Sequence, residues 1–136
     1  MGAAPKILVI DDEQKVLDLI GFRLHLLGYR VITAGGGEEG LALAESERPD
    51  LIILDVTMPG LDGLTVCGRL KKSDETGNIP ILMLTARCDV EDVNRAMTAG
   101  ADDYIVKPYD PASLQTKIRR FLGVGAAAVG DSRSHK

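Results

Sequence analysis

The 136-residue chain has no tryptophan, only two cysteines and two histidines, and few aromatic side chains. Two cysteines, Cys67 and Cys88, cannot make a disulfide-rich scaffold. With no CxxC and no neighbouring histidine pair they do not match a zinc site either. They read as small core or surface thiols. No apolar run approaches the roughly 20 residues of a membrane span. The N-terminal Met1-Gly2-Ala3-Ala4-Pro5-Lys6 has no apolar signal core. Charge of one sign is not in excess: Lys+Arg number 16 against 20 Asp+Glu, a net of −4. General attraction to nucleic acid or anionic lipid is therefore not expected. A GxxxxGK[ST] loop is missing, so the chain has no nucleotide cradle of its own, and no Ser-His-Asp set appears. What remains is ordinary globular composition, 45% hydrophobic and 26% charged, at a length that suits one domain with a real core.

Four short apolar runs stand out: Ile7-Leu8-Val9-Ile10, Leu51-Ile52-Ile53-Leu54, Ile81-Leu82-Met83-Leu84 and Tyr104-Ile105-Val106. Tyr29-Arg30-Val31-Ile32-Thr33 is a weaker fifth. Continuous apolar runs fit strands buried on both faces, as in a parallel sheet, and parallel strands need helical crossovers. The segments between them supply helices. Val16, Leu17, Ile20, Leu24 and Leu27 form a stripe at helical spacing, stopped by Gly28. Leu41, Ala42 and Ala44 mark a helix weakened by Gly37 and Gly40. Leu64, Cys67 and Leu70 mark a third. Val90, Val93 and Met97, closed by Gly100, mark a fourth. Leu114, Ile118, Phe121 and Leu122, opened by Pro111, mark a fifth. Strands alternating with helices imply a doubly wound α/β domain over residues 1–122. Residues 123–136 are small, Gly-rich and finally polar, and read as a flexible tail or linker remnant, with His135 solvated. His25, mid-helix among leucines, reads as a partly exposed surface residue.

The informative residues sit where strands stop. Asp11, Asp12 and Glu13 follow the first strand, Asp55 ends the third, Thr85 the fourth and Lys107 the fifth. A parallel sheet brings all these ends to one edge, where open α/β sheets bind ligands. Asp12 could cap the first helix, which accounts for one carboxylate and not three. Three close carboxylates repel, and a hard divalent cation such as Mg²⁺ relieves them while keeping positions open for phosphate oxygens. Lys107 adds a fixed positive charge and Thr85 a hydroxyl. Such a set can clamp a phosphoryl group in transit, with an aspartate as acceptor.

These residues resemble the receiver domains of bacterial two-component response regulators, chemotaxis regulators included. The matching pieces are Ile7-Leu8-Val9-Ile10-Asp11-Asp12-Glu13, the stretch from Leu51 to Gly63 with Asp55-Val56-Thr57-Met58-Pro59-Gly60, Met83-Leu84-Thr85-Ala86, and Gly100-Ala101-Asp102-Asp103-Tyr104-Ile105-Val106-Lys107-Pro108. The resemblance covers about residues 5–122, and four pieces in the right order are specific. It implies a five-stranded parallel sheet of order 2-1-3-4-5, flavodoxin-like, with five helices. It implies Asp55 as phosphoacceptor and Lys107 as the phosphate-facing cation, with the Lys107–Pro108 bond cis. Asp12, Asp55 and the Thr57 carbonyl are implied as Mg²⁺ ligands, with Asp11 acting through water. Thr85 and Tyr104 are implied as the switch pair, and Thr57 and Arg87 as residues that tune phosphate lifetime.

The implied function is a phosphorylation-dependent signalling switch with only autocatalytic phosphoryl transfer and self-dephosphorylation. It would take its phosphoryl group from a sensor histidine kinase or phosphotransfer protein. It would signal through the face of the fourth helix, fifth strand and fifth helix to a downstream effector protein or domain, in the cytoplasm, without touching nucleic acid or membrane. Asp102 and Asp103, with Lys117, Arg119 and Arg120, offer opposite charges to a second copy in a phosphorylation-dependent homodimer; a solvated surface explains them equally well. The competing reading is a Mg²⁺-dependent phosphatase of the aspartyl-nucleophile class. That class needs a second Asp two residues after the nucleophile, where this chain has Thr57.

Overall fold

A computed structural model describes residues 4–86 and 90–123 of the chain. Ten elements alternate along it: β1 (Lys6–Ile10), α1 (Gln14–Leu26), β2 (Arg30–Ala34), α2 (Gly37–Glu47), β3 (Leu51–Asp55), α3 (Gly63–Lys72), β4 (Ile81–Thr85), α4 (Val90–Thr98), β5 (Asp103–Val106) and α5 (Pro111–Leu122). The strands form one sheet in the order β2-β1-β3-β4-β5, and every neighbouring pair is parallel. The expected strand order and helix count both hold. All five residues of β3 and of β4 are buried, as their unbroken apolar runs require of strands covered on both faces.

Two apolar layers flank the sheet. Leu8, Ile10, Ile52, Leu54, Ile81 and Met83 face Ala44, Val66, Cys67, Leu70 and Ala96. Ile7, Val9, Leu51, Ile53, Leu82 and Leu84 face Leu17, Ile20, Leu24, Leu114 and Ile118. Residues one apart along a strand divide between the layers, as the pleat demands. Each large aliphatic side chain buried in this way contributes about 1.5–3 kcal/mol.

Helix ends follow local chemistry. Asp62 caps α3 by accepting from the Thr65 N–H (2.8 Å), and Asp110 caps α5 by accepting from the Ser113 N–H (3.1 Å). Pro111 opens α5, and Gly28 and Gly100, both at positive φ, follow α1 and α4 where stops were expected.

Three expectations need correction. Asp12 does not cap α1: the N-cap is Glu13, without a side-chain bond, and Asp11 Oδ1 accepts from the Glu13 N–H (2.9 Å). Met97 is 44% exposed, and among the described residues of α4 the buried one is Ala96, too small to register in an apolar pattern. Ala42 is exposed, and α2 turns Gly37, Gly40 and Ala44 inward. At Gly40 a Cβ would lie 2.5 Å from Ile10 Cδ1, so the glycine that weakens the helix is also what lets α2 lie on β1. Cys67 is a buried core thiol, pushed up by burial to about 11. Arg87, Cys88 and residues 124–136, His135 included, lie outside the described residues, as does the side chain of Val90.

Candidate functional site

The parallel register delivers the strand ends to one rim. Asp11 follows β1, its N–H donating to the Ala34 carbonyl at the end of β2 (3.1 Å). Asp55 and Thr85 are the last residues of β3 and β4. Lys107 follows β5, its N–H donating to the Thr85 carbonyl (2.7 Å), and the Lys107–Pro108 bond is cis. Asp55 is held from behind. Gly63 N–H donates to the Val56 carbonyl (2.9 Å), and a Cβ on Gly63 would overlap the Asp55 carbonyl oxygen, so α3 begins against the strand end itself.

Asp11, Asp12 and Asp55 each bring a carboxylate oxygen within 4.8 Å of the other two. Asp11 and Asp55 are buried while Asp12 faces solvent. Lys107 Nζ donates to Asp55 Oδ1 (3.0 Å) and lies 3.6 Å from Asp11 Oδ2. Thr85 is buried beside them, 5% exposed. Thr57 is exposed, two residues beyond Asp55. Tyr104 lies further down β5, half-buried, on the layer that also holds Met83.

The electrostatics are strained. Burial holds the Asp11 carboxyl above the usual carboxylate range, against the Glu13 N–H and Lys107, which favour its ionised form. Burial does the same to Asp55, opposed by the Lys107 hydrogen bond and reinforced by the Asp11 charge. Burial alone would loosen the Lys107 proton, but Asp55 and Asp11 outweigh it and hold the ammonium charged. One ammonium does not balance three carboxylates. Asp11 Oδ2, fully buried, has no hydrogen-bond partner among the described residues. A buried oxygen with no hydrogen bond, only an ammonium 3.6 Å away, beside two more carboxylates is a hard-oxygen donor set, and it fits Mg²⁺.

Sequence reasoning expected Asp11, Asp12, Asp55, Thr85 and Lys107 to meet at this rim, as they do, but missed the backing role of Gly63. It also missed a contact beyond the rim: Lys117 Nζ sits over the Tyr104 ring, 5.4 Å from its centroid. The opposite charges on this side pair within the chain, Lys117 with Asp103 (3.0 Å), Arg120 with Asp103 (3.7 Å) and Lys71 with Asp102 (2.9 Å).

Residues 7–119 match the response regulator receiver domain family. The Cyanophora paradoxa protein named Probable transcriptional regulator ycf27 is 48% identical over 117 residues, covering 86% of this chain and 48% of that protein. The chain thus spans about half the length of the curated relatives it matches. Among solved structures, chemotaxis protein CheY4 of Vibrio cholerae aligns with a TM-score of 0.84 and 34% identity, covering 88% of this chain and all of that one. The receiver domain of sensor histidine kinase PA1611 from Pseudomonas aeruginosa, with a magnesium ion coordinated in its active site cleft, aligns with a TM-score of 0.82 and 32% identity, covering 89% and 99%. Receiver domains bind Mg²⁺ at such an acidic cluster and pair with histidine kinases. By sequence match, strand order and the acidic rim together, the chain belongs to the receiver-domain family of response regulators, and its function is phosphorylation-dependent signalling.

Proposed function

We propose that Asp55 is the phosphoacceptor and that a sensor histidine kinase or phosphotransfer protein supplies the phosphoryl group. The observation that carries this reading is the Lys107–Asp55 contact at 3.0 Å inside a cluster of three carboxylates. Asp12, Asp55 and the Thr57 carbonyl would hold Mg²⁺, with Asp11 acting through water. Bound there, Mg²⁺ neutralises carboxylate and phosphoryl oxygens together. An Asp55 carboxylate oxygen attacks the phosphorus of a phosphohistidine, the P–N bond breaks and the imidazole leaves. Lys107 exchanges its hydrogen bond to Asp55 Oδ1 for one to a phosphoryl oxygen, so its charge stays on the group that carries the negative charge.

The phosphorylated side chain is a dianion where a monoanion stood. Thr85 donates its hydroxyl toward it, and the Tyr104 ring moves toward the space Thr85 leaves. The face of α4, β5 and α5 then changes its fit for a downstream effector or a second copy of the domain, in the cytoplasm. Thr57, open to solvent, and Arg87 set how long the phosphate lasts. The phosphatase alternative finds no support.

Incubation with Mg²⁺ and acetyl phosphate tests the reading. One acid-stable, alkali-labile phosphate per chain is expected at Asp55, and none in Asp55→Asn. Label persisting at that position in the variant would end the assignment.

A further inference from the structure

We infer that Lys117 is a positioning residue for the switch ring, a latch that holds Tyr104 in its half-buried place until the acceptor is phosphorylated. The inference rests on the switch role proposed above for Thr85 and Tyr104. The observation behind it is a contact that crosses the sheet. β5 is an edge strand. Leu114 and Ile118 seat α5 on one face of the sheet, while Tyr104 packs against the layer on the other. Lys117, which lies on α5 between them, reaches round the open edge, and its Nζ comes to lie over the Tyr104 ring.

The ammonium is not placed there by the ring alone. Asp103 Oδ2 accepts from Lys117 Nζ (3.0 Å), with Arg120 3.7 Å away, and Asp103 Oδ1 accepts from the Tyr104 backbone N–H (2.8 Å). One carboxylate therefore fixes both the backbone that carries the ring and the cation above it. The Lys117 side chain is only 25% exposed and that of Asp103 18%, so water screens this pair less than an open surface pair. A cation over an aromatic face is attracted by the ring quadrupole. Movement of the ring toward Thr85 gives up that attraction. The latch thus weights the balance against the switched conformer, and phosphorylation must overcome it.

The test is 19F NMR of the full chain labelled with fluorotyrosine, the position-104 resonance being assigned by its loss in Tyr104→Phe. Spectra are taken with Mg²⁺ alone and through a beryllofluoride titration. Lys117→Met keeps the apolar stem and removes the charge. Its Mg²⁺-only resonance is expected to move toward the position that beryllofluoride produces in the parent. Its beryllofluoride midpoint is expected to fall about two- to five-fold, the lower part of what a cation–π contact supports. Lys117→Arg should restore both values, and Lys117→Gln serves as a second neutral variant should the Met form fold poorly. A parent that responds to beryllofluoride while both neutral variants keep its resonance and midpoint overturns the latch alone. A parent with no beryllofluoride response overturns the proposed acceptor site and the latch with it.

Discussion

At the scale of single residues, the buried carboxylate of Asp11 decides how the site affects stability. Its pKa is raised in the folded chain by burial, so the folded protein holds that proton more tightly than the unfolded one. The stability this contributes is complete below the ordinary carboxylate pKa and is lost as pH rises through the raised folded value. Above that folded value, without Mg²⁺, the ionised carboxylate is therefore a cost. Asp11→Asn removes the charge and can keep the bond from the Glu13 N–H. Its Mg²⁺-free melting temperature at pH 7 should exceed that of the parent by about 2–6 °C, the shift that about 1 kcal/mol makes in a domain of this size. The gain should vanish as the pH falls through about 4, where the parent carboxyl is also neutral. Calorimetry across that range in EDTA checks it, and a variant that melts lower than the parent at pH 7 contradicts it. Asp55 invites the same reasoning less cleanly, because its partner Lys107 is held charged by the very group whose ionisation burial resists.

At the scale of elements, helix placement separates what supports the site from what faces outward. α3 starts at Gly63, where a Cβ would lie 2.8 Å from Val56 Cα and overlap the Asp55 carbonyl oxygen. Those are backbone atoms, so no side chain can turn aside. Gly63→Ala should cost about 2–3 kcal/mol in urea unfolding, the upper part of the overpacking range, and should lower acetyl phosphate labelling as Asp55 shifts. α1 behaves otherwise. It buries Leu17, Ile20 and Leu24 yet leaves Leu19, Phe22 and Leu26 at least 49% exposed on its outer side. Leu19 and Arg23 border a hollow shared with Lys107, Pro108, Tyr109 and Pro111, beside the rim where the proposed phosphohistidine donor would dock. Phe22→Ser should leave stability within about 0.5 kcal/mol. It should slow phosphotransfer from a phosphohistidine protein about tenfold and leave acetyl phosphate labelling unchanged. Equal rates from the protein donor for variant and parent would remove α1 from the docking surface.

At the scale of the whole molecule, the unbroken apolar runs at Ile7, Leu51 and Ile81 made the parallel sheet legible, because only strands covered on both faces carry such runs. Parallel pairing by itself puts Asp11, Asp55, Thr85 and Lys107 on one rim. What was not legible depended on close approach and on edges. Ala96 and Gly40 bury themselves by being small, which an apolar pattern does not register. Asp11, not Asp12, bonds the N–H at the start of α1, a choice between neighbouring acids that local chemistry leaves open. The reach of Lys117 to Tyr104 depends on β5 being an edge. The acidic rim couples the whole fold to metal: the unfolded chain has no assembled cluster, so Mg²⁺ should bind the folded state alone. Above the dissociation constant, each tenfold rise in Mg²⁺ should then add about 1.4 kcal/mol, seen as a melting temperature that climbs with the logarithm of Mg²⁺ concentration. Asp12 is exposed and bears little on packing, so Asp12→Asn should melt near the parent in EDTA yet lose most of that slope. Scanning calorimetry over a Mg²⁺ series reads both quantities. A parent whose melting temperature ignores Mg²⁺ would mean that the three carboxylates meet at the rim without holding the ion.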